Sequence, residues 1–388
     1  MLKNRDIIIT GLQSWDIEIG STCKNIARSF AKNNRVLYVS PPYTRLSRLK
    51  NQSYKHHPDK LIKVAENIHV LYPDCVRESI GRLSINWLFD ILNKKNNRIF
   101  AHEIKSAIEM LNFKNYIHFC DGDLYQSLYL KEYLKPLLYV YLFRDNILAV
   151  DYWKAQGKRI QSQHMAKADI IFTNSYYHND IASEHNKHSY FAGQGCDLEM
   201  YNRDNVHEIP ADIRSINSPI IGYTGVLTSI RLDITIIEHM AKARPDWNIV
   251  LVGPEDEDFK NSNLHNIPNV HFFGRKDPEG LAAYINAFDL AINPQLVNEM
   301  TIGNYPLKID EYLAMGKPVL ATSTKAMEYF AEYSYLANNK EEYVELAERA
   351  LKEDNEEKAK SRILYARGHS WDNMVAIMSE YIEKHLPS

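Results

Sequence analysis

Lys308 and Glu311 are the residues of this chain whose types and spacing best suit a phosphorylated ligand. They lie in Asn304–Thr322, NYPLKIDEYLAMGKPVLAT. Pro306 suits a first helical position, where its missing N–H would be unpaired anyway. Leu307, Glu311, Tyr312 and Met315 then recur at helical spacing, and Gly316 fits a left-handed stop before the apolar β-type run Val319–Thr322. Residues three apart share a helix face, so Lys308 and Glu311 sit together in the first turns. A lysine at a helix N-terminus, beside Asn304 and Tyr305, seats a phosphate well, and a carboxylate one turn on can accept hydrogen bonds from a ribose. An ordinary amphipathic helix with a solvated Lys–Glu pair would carry the same residues.

Three glycine-ended segments precede this stretch. Gly222-Tyr223-Thr224-Gly225 reads as a strand-to-helix junction, where Gly225 would let a backbone approach a phosphate or sugar without a Cβ clash. Val250–Val252 ends at Gly253-Pro254, and Asn269–Phe273 ends at Gly274-Arg275, before a helix capped by Asp277 and started by Pro278. No G-x-G-x-x-G follows the first strand, where Thr10-Gly11-Leu12-Gln13 stands, so a dinucleotide-dependent dehydrogenase is a poor fit.

The elements that must position these residues alternate in both halves. Short apolar strands are expected at Asp6–Thr10, Arg35–Ser40, Tyr116–Cys120, Leu137–Leu142, Asp169–Thr173 and Ser189–Ala192, with a helix near Ser21–Asn33. The series restarts with Pro219–Tyr223, Asn248–Val252, Val270–Phe273, Leu290–Asn293 and Val319–Ala321, and ends in helices at Glu341–Lys352 and Trp371–His385. Alternation of this kind predicts open α/β sheets. A length of 388 residues favours two domains. The expected division is 1–200, a polar linker at 201–218, a second domain at 219–370, and a C-terminal helix at 371–388 that can pack back on the first domain.

Composition narrows the classes further. Hydrophobic residues make up 45% and charged residues 24%, as in soluble globular chains, and no apolar run is long enough to span a bilayer. The start, MLKNRDIIITG, lacks signal-peptide architecture, and Cys23, Cys75, Cys120 and Cys196 are scattered without metal-ligand pairing. A cytoplasmic setting is the expectation. Net charge is only −3, yet 28 Lys and Arg face 21 Asp and Glu up to Asn205, against 18 and 28 beyond it. The basic excess concentrates in Arg45–Lys63 and Lys94–Arg98, which suit either a solvated loop or an anionic membrane surface. In Ile80–Leu92, the residues Ile80, Leu83, Trp87, Leu88 and Ile91 share a helical face that would serve such docking or enter the core. Nucleic acid is not expected as a partner, since the chain is slightly acidic and shows no basic–aromatic recognition pattern.

Taken in order, the segments of 219–325 resemble the donor-binding half of GT-B glycosyltransferases. Ala168–Ser175 and Gly195–Tyr201 (GCDLEMY) resemble the end of that superfamily's acceptor domain, and PLKxxEYLAxGKPV is most similar to bacterial exopolysaccharide transferases of the teichuronic-acid and xanthan-glucuronosyl kind. The resemblance implies two doubly wound Rossmann-like domains facing each other across a cleft. It implies a peripheral cytoplasmic-membrane enzyme that transfers a sugar from a nucleotide-diphosphate sugar, UDP being the expected carrier, to a saccharide or lipid-linked saccharide, with no cofactor. Gly225, Gly253, Gly274, Arg275, Asn304, Tyr305, Lys308 and Glu311 would form the donor site.

Many retaining relatives carry a second glutamate eight residues before the position of Glu311; here Gly303 stands there, with Glu299 out of register. A histidine common in those relatives falls near Cys120, with His118 two residues earlier. Retention and inversion therefore stay open. For an inverting reaction Asp145, after the strand Leu138–Leu142, is the candidate general base; a helix cap or an ion pair with Arg144 would explain it equally. Asp121-Gly122-Asp123 has the D-x-D form that holds a metal in a single-domain glycosyltransferase class. In a two-sheet chain a loop cap or acceptor contact fits His118, Asp121 and Asp123 better, and no metal is expected. A sugar-nucleotide epimerase of the same fold and a catalytically silent sugar-nucleotide-binding subunit are the rival functions.

Overall fold

The computed structural model describes residues 2–17, 20–50, 59–206 and 208–387. The chain forms two compact units, Met1–Gly193 with Trp371–Ser388, and Gln194–Ser370.

The first unit is built on strands β1 (Asp6–Gly11), β2 (Arg35–Val39), β3 (Leu61–Ala65), β4 (Ile68–Leu71), β5 (Ile117–Asp121), β6 (Leu138–Phe143), β7 (Ile170–Thr173) and β8 (Ser189–Phe191). They lie in the order β3-β4-β2-β1-β5-β6-β7-β8, parallel throughout except for the antiparallel pair β3–β4. Strands β1, β5 and β6 are buried along their whole length, as expected of a parallel sheet covered on both faces. Helix Thr22–Ala31, capped by the Ser21 hydroxyl, packs Ile26 and Phe30 into one core with Ile7 and Ile9. Met374, Val375, Met378 and Ile382 of the C-terminal helix Trp371–His385 enter that same core. The long helix Asn86–Met110 packs Phe100, Ile104 and Ile108 with Ile8 and Leu37.

Two sequence expectations are corrected in this unit. The basic stretch Arg45–Lys63 is not one loop: it contains a helix at Arg45–Lys50 and the start of β3, while residues 51–58 lie outside the described residues. The apolar face assigned to Ile80–Leu92 is split, because the helix begins only at Asn86 and helical spacing does not extend back to Ile80. Ile80 and Phe89 are buried, whereas Trp87 and Ile91 are 65% and 60% exposed.

The second unit contains β9 (Ile220–Thr224), β10 (Asn248–Val252), β11 (Val270–Phe272), β12 (Leu290–Asn293), β13 (Val319–Thr322) and β14 (Tyr335–Ala337), all parallel in the order β11-β10-β9-β12-β13-β14. Residues 201–218, expected as a linker, belong to this unit, with Tyr201 and Ile213 buried in its core. Strand order reverses beside β1 in the first sheet and beside β9 in the second. Open α/β sheets bind ligands outside the carboxyl ends of their strands at such reversals. Among the described residues no helix is long and apolar enough to cross a membrane.

Candidate functional site

Gly225, Gly253 and Gly274 follow the carboxyl ends of three adjacent strands, β9, β10 and β11, so the glycine-ended segments of the sequence line one edge of the second sheet. All three have positive φ: +135° at Gly225, +154° at Gly253 and +62° at Gly274. A Cβ at Gly253 would come within 1.8 Å of the Gly225 carbonyl oxygen, so this glycine is required by backbone packing against its neighbour. Gly225 N–H in turn donates to the Val252 carbonyl at 2.8 Å. A Cβ at Gly274 would meet open space, and Arg275 beside it is exposed.

The helix expected after Pro306 spans Leu307–Ala314, with Pro306 as its cap and Gly316 at φ +72° behind it. Its first turn brings Lys308 onto Gly225. A Cβ at Gly225 would stand 2.2 Å from Lys308 Cε and 2.8 Å from Nζ, so the lysine stem lies across the place where a side chain would be. Lys308 Nζ is 5.5 Å from the centre of the Tyr223 ring. The Tyr312 hydroxyl accepts from Thr224 N–H at 2.9 Å, fixing the end of β9 to the same helix. Residues more than 80 positions apart thus form one corner: a backbone turn without a side chain, a cation across it, and a helix N-terminus.

Glu311 sits beside Lys308, half-buried. Burial pushes its carboxyl up to about 7, against the pull of Lys308 and of a hydrogen bond from the Tyr201 hydroxyl. Tyr305 is used differently from the expectation: its hydroxyl donates to Asp310 Oδ2 at 2.6 Å and is committed to the helix. Sequence reasoning gave no site role to Asp310, nor to Tyr201 and Tyr312, which it named only within a motif and a helical spacing. Only Asp310 carried a signal, as a second carboxylate beside Glu311 on the inward side of the helix.

At the carboxyl edge of the first sheet, Asp121 ends β5 and Arg144-Asp145 follow β6. Arg144 donates to Asp121 Oδ1 at 2.8 Å and pairs with Asp145, so the ion pair foreseen as the alternative for Asp145 is present. The Asp145 side chain remains 46% exposed, while Asp121 is 2% exposed. Asp123 is buried and spent on a local cap, accepting from Gln126 N–H and from the Ser127 hydroxyl at 2.8 Å. Burial pushes its carboxyl up to about 6. His118 is fully buried, with Nε2 2.9 Å from the Thr10 hydroxyl, and burial lowers it to about 3. Neither Asp123 nor His118 faces solvent, so neither can touch an acceptor as placed. A cleft of about 880 Å³ opens instead beyond β1, β2 and β4, lined by Ser14, Ser40, Tyr43, Thr44, Tyr72 and Arg82 among others. A second cleft, of about 910 Å³, lies at the opposite edge of the second sheet, and its arginines are paired: Arg203 with Glu356, Arg244 with Asp246 and Glu348. Among the described residues no three of His, Cys, Asp and Glu converge as a metal site.

The family model for group 1 glycosyl transferases matches residues 218–353, the segment that carries the Gly225–Lys308 corner. Solved structures similar along nearly the whole chain include sucrose-phosphate synthase of Thermosynechococcus elongatus (14% identity, 98% of this chain and 99% of that one, TM-score 0.68). The chain has the GT-B fold, and its residues 218–353 match a group 1 glycosyl transferase domain. The Anabaena protein HepE in complex with UDP shares the GT-B fold at 13% identity, covering 98% of this chain and 100% of its own, with a TM-score of 0.67. An E. coli trehalose-6-phosphate protein bound with UDP-2-fluoro glucose does so at 10% identity, 99% coverage of both chains and a TM-score of 0.72. In sequence, this GT-B chain is 26% identical over 257 residues to TuaH of Bacillus subtilis strain 168, named for teichuronic acid biosynthesis. That match spans 62% of this chain and 64% of the relative.

Proposed function

We propose that the protein is a metal-independent glycosyltransferase. It would move a sugar from a nucleotide-diphosphate sugar, with UDP as carrier, to a saccharide or lipid-linked saccharide in bacterial surface polysaccharide synthesis. The observation that carries the reading is Lys308 laid across side-chain-free Gly225 at the N-terminus of a helix, with Glu311 beside it. This corner can hold a diphosphate on the lysine and helix N–H groups and a ribose on the carboxylate. Arg275 and Gly274 lie two strands away, on the side left for the base. Relatives named as complexes with UDP or a UDP-sugar support that carrier, and the kinship with TuaH supports the polysaccharide role.

In the chemistry proposed, Asp145 takes the proton of an acceptor hydroxyl as its oxygen attacks the anomeric carbon. The bond from that carbon to the diphosphate breaks, and Lys308 offsets the charge the leaving group gains. The exposed Asp145 carboxylate is available for this, and the hydroxyl-rich cleft of the first unit suits a saccharide acceptor. Calorimetry with UDP, ADP and GDP tests the donor half. UDP is expected to bind, and Lys308→Ala to weaken it about tenfold or more, because charge-assisted hydrogen bonds contribute about 1.5–3 kcal/mol. Unchanged affinity in a folded Lys308→Ala variant removes Lys308 from the site. UDP release from UDP-sugars, dependent on an added acceptor, separates a transferase from an epimerase or a silent binding subunit.

A further inference from the structure

Asp310 is a carboxylate with no exposure at all, set between the two residues assigned to the donor. Such a group is costly unless its oxygens are satisfied. Both are: Tyr305 donates to Oδ2 at 2.6 Å, and His369 Nδ1 lies 2.7 Å from Oδ1. His369 is itself buried and held on every side. Its Nε2 is 2.9 Å from the Tyr329 hydroxyl, and its ring meets those of Tyr365 at 4.5 Å and Tyr329 at 5.0 Å. Its backbone carbonyl accepts from Cys196 N–H at 2.7 Å, beside the strand-like bridge of Cys196 with Ser370. With Nδ1–H turned to the carboxylate, Nε2 is left to accept from Tyr329, so the chain of bonds has one consistent proton order.

This arrangement does more than neutralise a buried acid. Tyr305 belongs to the loop entering the 307–314 helix and Asp310 to its first turns, so one carboxylate ties loop and helix together. His369, from the far end of the unit's sequence, fixes that carboxylate in place. Lys308 and Glu311 flank Asp310 on the same short helix, and their aim depends on how the helix is rotated about its axis.

We infer that His369 is a positioning residue for the donor site, acting through Asp310 to hold the loop at 303–306 and the first turns of the 307–314 helix so that Lys308 and Glu311 keep their geometry. The inference rests on the donor reading above. It concerns a residue some 60 positions from the motif, with no contact to the ligand required.

The test uses the full chain and three variants. His369→Asn keeps an N–H close to the place of Nδ1; His369→Leu keeps bulk but donates nothing; Ile249→Val trims a buried residue of the sheet core that does not touch the helix. Two quantities are read: UDP affinity by calorimetry, and amide hydrogen exchange of residues 304–313 without ligand. His369→Leu should weaken UDP binding about tenfold, the size of one lost buried hydrogen bond, and speed exchange in 304–313 above the rest of the unit. His369→Asn should stay within about threefold of wild type, and Ile249→Val should leave both readouts unchanged. If His369→Leu leaves exchange and affinity at wild-type values, or if Ile249→Val weakens binding as much at a similar loss of Tm, the positioning role is wrong. Where His369→Leu does not fold, Tyr329→Phe, which removes only the hydroxyl on Nε2, should shift both readouts the same way by less, and no shift overturns the inference. If wild type fails to bind UDP, the donor reading falls, while the exchange data still decide whether His369 orders the helix.

Discussion

Glu311→Gln should make the protein more stable and a poorer binder at the same time, with the first effect confined to higher pH. Burial raises the Glu311 carboxyl from 4.5 to about 7. Between those values the folded chain holds a proton that the unfolded chain releases, so stability falls as pH rises through the window and stays reduced above it. At about 1.4 kcal/mol per pH unit the full gap corresponds to a cost of about 3.4 kcal/mol. The side chain keeps some contact with solvent, which screens part of this, and about half is a realistic net cost. Gln cannot ionise and can still accept the Tyr201 hydroxyl, so the variant should gain about 1.5 kcal/mol at pH 8. For a unit of this size that is a rise in Tm of roughly 3–6 °C, and the difference should vanish near pH 4.5. In calorimetry the same variant should bind UDP about tenfold more weakly, having exchanged a charged acceptor for a neutral one. Scanning calorimetry of both proteins at pH 4.5 and 8 decides the matter. Equal Tm values at both pH values would show that no folding free energy is stored in this carboxylate.

Asp145→Asn should lower turnover by about 10²–10⁴-fold while UDP affinity stays near wild type, because a positioned base contributes to rate and the donor corner lies in the other unit; retained activity would move the base elsewhere, and NMR of the product's anomeric configuration reads the stereochemistry independently. Gly225→Ala should weaken UDP binding about tenfold or more, as Lys308→Ala does, since its Cβ would fall 2.2 Å from Lys308 Cε at a φ of +135° and displace the lysine; near-normal affinity would mean that Lys308 does not need this turn. If the basic stretch Arg45–Lys63 serves an anionic membrane surface, the alternative the sequence offers to a solvated loop, Trp87→Ala with Ile91→Ala should reduce co-sedimentation with phosphatidylserine-containing vesicles at low salt several-fold. Equal, weak sedimentation of both proteins with neutral and anionic vesicles would remove that partner.

What the sequence shows of this protein follows how local the determining physics is. Strands β5, β6, β9, β10 and β12 are fully or nearly fully buried apolar runs, and such runs announce themselves without reference to their partners. β3, β4 and β14 escaped: β3 and β14 are edge strands with half-exposed or exposed side chains, and β4 is a buried run of only four residues between β3 and β2, held by pairing that no local pattern encodes. The turn glycines were legible because positive φ at a strand end demands a residue without Cβ. The same logic could not distinguish Gly253, which makes room for the backbone of Gly225, from Gly225, which makes room for Lys308. On the acceptor side, His118 and Asp123 have the right types for chemistry, yet the pleat of β5 and a local turn put both inside. Asp310 and His369 show the opposite case: each looks ordinary in sequence, and their 2.7 Å contact exists only because the turn after the unit's last helix, Glu356–Arg367, returns to the first turns of another. Burial therefore separates two roles that residue type confounds. Carboxylates that keep some access to solvent, Glu311 and Asp145, are available to a ligand, whereas those satisfied entirely by the protein, Asp310 and Asp123, shape the surroundings in which a ligand can bind.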